Sequence, residues 1–256
     1  MNAVWCCRAM EHFGKIVSKA LGWPLFIDAP VLDADLVYIV GLYDPPNYAY
    51  TLDMTKGAKR RVIHWCGSDV YGLVRPDMLP EATHLCESEW LSEQLHFKGV
   101  DAAVCTFPTS IIPEVTPLPE RDVVSVYLGS SPARYGESTV RALADMMPDV
   151  TFHVYGFGQY TAEEMHEVIA KTKVYLRLCY PDGSATSARE YMCAGRRAIC
   201  AVPIAHAKRV VMDDLAGIKS ALERALRETE PDYEAAEYHQ RFNNPERYAQ
   251  DVRSAL

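Results

Sequence analysis

An apolar run, Val174-Tyr-Leu-Arg-Leu178, gives way to Cys179-Tyr-Pro-Asp182-Gly183-Ser184 and then to a stretch of helix formers that ends near Ala194. Asp182 and Glu190 are eight positions apart. With Asp182 in a turn and Glu190 about two helical turns further on, the two carboxylates can reach different parts of one ligand, such as a sugar and a ribose, and neither need act as an acid or base. The first N–H groups of that helix have no intrahelical acceptor, so a phosphate or sugar hydroxyls can bind there beside Gly183 and Ser184. The competing reading is plain: Asp-Gly is a common turn, and a helical glutamate often faces water. The segment is set apart by the order of its pieces: strand, acidic turn, helix with a second acid, Met192-Cys-Ala-Gly195, and another apolar run over 197–202.

Other residues carry chemistry by position. Arg177 closes the first apolar run, and Arg134 follows Gly129-Ser130 in a loop after the run 123–128. Surface salt bridging is the plain reading of either cation, less so for Arg177 at its strand end. Gly156-Phe-Gly158 ends the next strand-like run, although Gly-x-Gly by itself often serves only the backbone. In the first half, Arg61-Val-Ile-His64-Trp-Cys-Gly67-Ser68-Asp69 sets His64 in a strand and Asp69 in the loop behind it. Asp182, Asp69 and His64 are the catalytic candidates. A packed strand histidine and a turn-capping aspartate are the alternatives. Gly67, Ser68 and Arg8, which comes directly after Cys6-Cys7, complete the candidate set. Lys59-Arg60-Arg61 and Arg196-Arg197 are local basic runs.

These residues sit between elements that alternate along the chain. Strand-like runs at 3–7, 24–27, 35–40, 61–66, 83–86 and 102–106 alternate with helical stretches at 9–21 and 88–97, the latter opening on Ser88 as a cap. Pro108, Pro113, Pro117 and Pro119 then mark a linker over 108–121. A second series comes next, with strands at 123–128, 150–155, 174–178 and 197–202 and helices at 137–146, 162–171, 185–194 and 217–227. Such alternation predicts parallel sheets flanked by helices, in domains 1–115 and 116–230, with 231–256 a terminal helix returning to the first. Ligands of open parallel sheets bind at the carboxyl ends of the strands, where the residues above fall.

At 256 residues, 49% hydrophobic and 23% charged, the chain is long enough for two folded domains and too ordinary in composition to be disordered. Its net charge of −8 disfavours a nucleic-acid backbone unless a local basic patch outweighs it. Apolar runs such as 36–43 are too short to span a bilayer, and the N-terminus lacks the order of a signal peptide, so a cytoplasmic protein is expected. None of the eight cysteines forms a C-x-x-C pair, so free thiols are expected rather than disulfides or zinc.

The second half, from Val123 to about Val202, resembles the donor domain of GT-B glycosyltransferases, particularly retaining family four. Asp182 and Glu190 match that family's acidic pair with seven residues between, and the small-residue stretch 192–195 and the run 197–202 match the pieces beyond the pair. The family more often has Glu where Asp182 stands. Gly129 to Gly136 resembles its phosphate loop, with Ser130 near the usual Arg and Arg134 near the usual Lys; Arg177 is a candidate replacement for the missing cation. Gly156 and Gly158 resemble the turn beside the nucleotide base. The first half matches less: Cys6-Cys7-Arg8 replaces the family's Gly-rich loop.

The resemblance implies two Rossmann-like domains with parallel sheets facing across a cleft. It also implies metal-independent, retaining transfer from a nucleotide-sugar, UDP- or GDP-linked, with no other cofactor. Asp182 would face the donor sugar and Glu190 the ribose, Arg134 and Arg177 would stabilise charge developing on the departing diphosphate, and His64 and Asp69 would position the acceptor or donor sugar, with Arg8, Gly67 and Ser68 on the acceptor side. The acceptor stays open among glycan, lipid carrier, small molecule, protein and a hydroxymethylated DNA base. A nucleotide-sugar epimerase or hydrolase and a catalytically inactive nucleotide-sugar-binding protein are the rival readings.

Overall fold

The computed structural model describes residues 1–44, 48–73, 79, 81–109, 111–129 and 131–256. They form two compact units, Met1–Pro108 with Phe242–Leu256, and Thr109–Arg241.

The first unit is built on strands β1 (Asn2–Cys6), β2 (Leu25–Ile27), β3 (Ala34–Val40), β4 (Ala58–Trp65), β5 (Thr83–Cys86) and β6 (Ala103–Val104), in spatial order β2-β1-β3-β4-β5-β6. Every pairing is parallel, with His64 opposite Val40 on one side and Leu85 on the other. A parallel sheet must be covered on both faces, which is why its strands read as nearly unbroken apolar runs. On β4, Val62 joins a core with Val4 and Tyr38, whereas Ile63 and Trp65 join the opposite core with Trp5 and Ile39. Helices α1 (Glu11–Leu21), α2 (Ala49–Met54), α3 (Ser68–Gly72) and α4 (Glu89–Phe97) lie between the strands. Ser88 caps α4 as its sequence suggests, its hydroxyl accepting from the Leu91 N–H at 3.3 Å. The short α2 and α3 were not expected, because a helix of so few residues leaves no periodic signature.

The second unit carries β7 (Val123–Tyr127), α5 (Glu137–Met146), β8 (Thr151–Tyr155), α6 (Ala162–Ala170), β9 (Val174–Arg177), α7 (Thr186–Cys193), β10 (Arg197–Cys200), β11 (Lys208–Arg209) and α8 (Leu215–Leu226). Its sheet has the order β11-β10-β9-β7-β8, again with parallel pairings. Val124, Val126, Leu176 and Ile199 face α5 and α8, while Tyr175, Ala198 and Cys200 face α7. The two-residue β11 was not expected. Residues 201–207 join it to β10, where a parallel crossover ordinarily takes a dozen residues or more and a helix. A cavity of about 970 Å³ opens on that edge, lined by Ile199, Lys208, Met212 and Ala221 among others.

The proline-rich segment is strapped to the second unit. Arg196 is fully buried, and its guanidinium donates to the carbonyls of Thr116 and Pro117 as well as to those of Ile169, Ala170 and Ala194. The compact unit accordingly begins at Thr109, earlier than the boundary at 116 read from the prolines. At the other end, two helices stand where one was expected: α9 (Tyr233–Phe242) and α10 (Pro245–Ala255). Asn244 separates them, accepting from the N–H groups of Glu246 and Arg247, with Pro245 opening α10. The second unit ends at Arg241, one residue before α9 does, and α10 places Tyr248, Ala249 and Val252 in the core of the first. Each cysteine is free, and burial pushes the thiols of Cys6, Cys86, Cys105 and Cys200 up to about 12. Among the described residues no helix is long and apolar enough to cross a membrane.

Candidate functional site

In the second unit the loops that leave β7, β8 and β9 meet at the carboxyl edge of the sheet. After β9 the chain makes a turn with a cis peptide between Tyr180 and Pro181, and Ala185 then adopts a left-handed backbone (φ 44°) from which α7 starts. Asp182 lies in that turn, and Gly183, Ser184 and Glu190 are buried behind it. Arg177, at the end of β9, is also buried. Its Nε donates to Asp182 Oδ2, one Nη donates to Ser187 Oγ at 2.9 Å, and the Tyr175 hydroxyl shares that serine at 2.6 Å. The guanidinium also lies 5.4 Å from the ring of Tyr127 and 5.2 Å from that of Tyr135, within cation–π range. Burial works most strongly against its charge, but Asp182, Tyr175 and Tyr135 together outweigh burial, so the guanidinium is held protonated. Arg177 is therefore spent inside the protein, and the expectation that it replaces a phosphate-loop cation gives way to a role holding Asp182.

The loop after β7 needs its glycine. Gly129 has φ +58°, and a Cβ there would come within 2.5 Å of the Tyr135 ring that covers Arg177. The Gly129 carbonyl accepts from the N–H of Phe157 at 3.3 Å, which ties this loop to the Gly156-Phe-Gly158 turn after β8. Exposed Arg134 reaches the opposite way, one Nη donating to the Pro181 carbonyl at 3.0 Å. The structure thus gathers Gly129, Arg134, Gly156, Gly158, Arg177, Asp182, Gly183, Ser184 and Glu190 along one edge. Ser130 lies outside the described residues. Tyr127, Tyr135 and Ser187, which clamp Arg177, were missed in the sequence: nothing in their spacing shows that their side chains converge on it.

In the first unit the candidates do structural work. His64 is fully buried in β4, its Nδ1 against the Tyr38 hydroxyl, which in turn meets the Tyr248 hydroxyl at 2.7 Å. Its ring lies on Phe107, with centroids 4.0 Å apart, and burial pushes its pKa down to about 3. It is a neutral core histidine rather than a catalytic one. Asp69 is buried too, and its carboxylate accepts from the backbone N–H groups of Leu42 at 3.1 Å, Cys66 at 3.0 Å, Gly67 at 2.9 Å and Val70 at 3.0 Å. Burial pushes its pKa up to about 6, while these donors pull it down. A carboxylate has about four lone-pair sites, so Asp69 has none left for a sugar and instead joins the loops after β3 and β4. Gly67 and Ser68 form the bend into α3. Arg8 is exposed beside Asp28, whose carboxylate accepts the Arg8 N–H at 3.0 Å and the Tyr50 hydroxyl at 3.2 Å. Asp28 and Tyr50 were also missed, although Asp28 comes directly after a strand and that position was a usable signal. Among the described residues no group of His, Cys, Asp or Glu is placed to hold a metal ion.

No family model matches the sequence, and no curated protein matches it. Solved structures do. Sucrose-phosphate synthase from Thermosynechococcus elongatus aligns with a TM-score of 0.76 at 11% identity, over 99% of this chain and 98% of that one. The lipopolysaccharide outer core galactosyltransferase WaaB, in its apo form, aligns at 0.71 and 13% identity over 100% and 99%. This chain has the GT-B fold. TarM shares it at 0.59 and 10% identity over 86% of this chain, which spans 54% of TarM's length. Asp182 and Glu190 bracket the start of α7.

Proposed function

We propose that this chain is a glycosyltransferase that binds a UDP- or GDP-linked sugar at the carboxyl edge of its second sheet and passes the hexose to an acceptor, without a metal and with retention of configuration. The observation that carries the reading is the turn and helix after β9. There Asp182, Gly183, Ser184 and Glu190 surround the start of α7, within reach of the Gly129 loop. A TarM variant that shares the fold was solved with UDP and α-GlcNAc-glycerol.

Negative charge developing on the departing diphosphate falls near the first turn of α7 and the exposed guanidinium of Arg134, both stabilising without moving. Glu190 takes the ribose hydroxyls. Asp182, oriented by Arg177, faces the donor sugar. No side chain is assigned as nucleophile, because retention by attack on the leaving-group face needs none. The pairing of Arg177 with Asp182 favours one rival, a protein that binds a nucleotide-sugar and does not turn it over, since a cation expected at the phosphate is committed elsewhere.

Thermal unfolding with UDP, GDP and their sugar conjugates, in EDTA, tests the donor site. At a ligand concentration of 100 Kd, binding adds about 2.7 kcal/mol, a rise of several degrees in Tm for a chain of this size. One nucleotide should give that rise, and Glu190→Ala should abolish it. Absence of a shift with every nucleotide would refute the reading, whereas a shift without turnover on any acceptor would favour the binding-only protein.

A further inference from the structure

The cavity of about 970 Å³ at the far edge of the second sheet has an aliphatic floor. Ile199 on β10 forms it with Val210 and Met212, which come after β11, and all three join the core that α8 covers. The facing wall is α8 itself. Gly217, Ser220, Ala221 and Ala225 fall at i, i+3, i+4 and i+8, so they share one side of the helix, and their short side chains leave the space between helix and strands open. The volume lies at the upper end of the range of about 300–1,000 Å³ usual for small-molecule sites, which are mostly apolar with a few polar groups that fix orientation.

One end of this trough is cationic. Lys208 is in register with Ile199, and Arg197 stands two residues before Ile199 on β10, so both side chains leave the sheet on the side of α8. Arg224 belongs to the last turn of α8, and the contact of Arg197 with Glu228 at 3.5 Å shows that this end of the helix comes down to the start of β10. Arg197 is further tied to the Glu230 carbonyl at 2.9 Å. Lys208 and Arg224 are exposed, and among the described residues neither has an ion-pair partner. The carboxylates nearby are engaged, Glu228 with Arg197 and Asp232 with the Ala235 N–H at 3.0 Å. Asp213 and Asp214 stand before α8 at the other end, where Asp214 caps the helix through the Gly217 N–H at 2.9 Å. The basic run Lys59-Arg60-Arg61 offers nothing similar, since Lys59 pairs with Asp35 at 2.7 Å and Arg61 donates to the Thr55 carbonyl at 3.1 Å.

A floor of Ile, Val and Met accepts a methylene chain, and an ammonium beside guanidinium groups suits a carboxylate or a phosphate. We propose that this cavity binds a single-chain anionic amphiphile. Lys208 and Arg224 hold the carboxylate or phosphate head, with Arg197 beside them, and the aliphatic tail lies along Ile199, Val210 and Met212 against the small-residue side of α8. None of these residues belongs to the set of Asp182, Gly183, Ser184 and Glu190, so the site does not depend on the glycosyltransferase reading.

Isothermal titration calorimetry on the full chain, with decanoate and decyl phosphate kept below their micelle concentrations, tests it. Inorganic phosphate supplies a head alone, decyl maltoside a tail alone, UMP an anion with an aromatic body, and phosphatidylglycerol vesicles a phosphate head on a membrane. Decanoate or decyl phosphate should bind at one molecule per chain, about tenfold tighter than inorganic phosphate, decyl maltoside or UMP, and the tighter of the two names the head. Lys208→Glu with Arg224→Glu should weaken that binding about tenfold. Ala225→Leu, which narrows the trough from a half-buried position, should weaken it to a similar degree, in chains that still unfold cooperatively. Binding of neither amphiphile would overturn the proposal. Equal binding of inorganic phosphate, decyl maltoside or UMP, binding to vesicles alone, or binding untouched by both variants in folded chains would overturn it as well.

Discussion

Asp69 and Asp182 occupy comparable places just beyond an interior strand, β4 in one sheet and β9 in the other, Asp69 in the first turn of α3 and Asp182 in the turn before α7. They are neutralised by different means. Asp69 is held by backbone amides from two loops, which a ligand cannot replace without opening the fold. Asp182 is held mainly by the Arg177 side chain, with the Gly183 N–H at 3.0 Å, and a side-chain pair can exchange partners with a ligand's own charges and hydroxyls. Two aspartates that look alike in sequence thus divide into one that builds a loop and one that can answer a ligand.

The sharpest way to break this contrast is Asp69→Ala. It strands the amides of Leu42, Cys66 and Gly67, whereas the Val70 N–H keeps the Gly67 carbonyl at 3.1 Å, and at about 1–3 kcal/mol for each unmade buried donor the loss should exceed about 3 kcal/mol in urea unfolding. A loss near zero would mean the loops stand without it. Arg177→Met should cost about 3 kcal/mol, the low end for breaking a buried ion pair, and Arg177→Met with Asp182→Leu should recover most of that because no charge is then left unpaired. If the double variant is as unstable as the single one, the two side chains do not act as a unit.

Stability in acid sharpens the contrast from the side of the first unit. An unfolded histidine titrates near 6.5, and burial holds His64 down at about 3, so below 6.5 the unfolded chain takes up a proton that the folded chain refuses. Its contribution is complete above about 6.5 and fades as pH falls toward 3, with a slope of at most about 1.4 kcal/mol per pH unit. His64→Phe should flatten that acid limb, leaving the smaller share of His239, which burial holds at about 4, and the opposing share of Asp69, which burial holds up at about 6. An unaltered limb would show that His64 is not sealed from water. The smallest effect belongs to Gly158→Ala: φ is +71° with nothing within 4 Å of the new Cβ, so only backbone strain of about 1 kcal/mol is expected in the same urea measurement.

Much of the frame could be read from the chain, for reasons particular to each element. β3 and β9 are buried on both faces and announce themselves as apolar runs, and α5 falls on the residues its periodicity marks. The split between α9 and α10 was there to be read in Asn243-Asn244-Pro245 but was hidden by the polar helical pattern on both sides. Neither α2 nor β11 could be found, being too short to establish a period. At the site, the order of pieces from Val174 to Val202 placed Asp182 and Glu190 correctly around a helix start. The sequence could not show what each side chain touches. Arg177 reads as a strand-end cation available to a phosphate, and only the fold brings Tyr127, Tyr135, Asp182 and Ser187 around it. The turn-capping reading of Asp69 was the one the structure took up, and His64 went to the core with the Tyr38 hydroxyl against its Nδ1.

The central claim is that the edge carrying Asp182 and Glu190 serves a nucleotide-sugar that is consumed. Release of nucleoside diphosphate, measured by ³¹P NMR in EDTA with UDP- and GDP-sugars and a panel of acceptors, tests it most directly. Release of one diphosphate is expected, stimulated by one acceptor and lost in Glu190→Ala. Release of no diphosphate from any donor, by a chain that unfolds cooperatively, would contradict the claim.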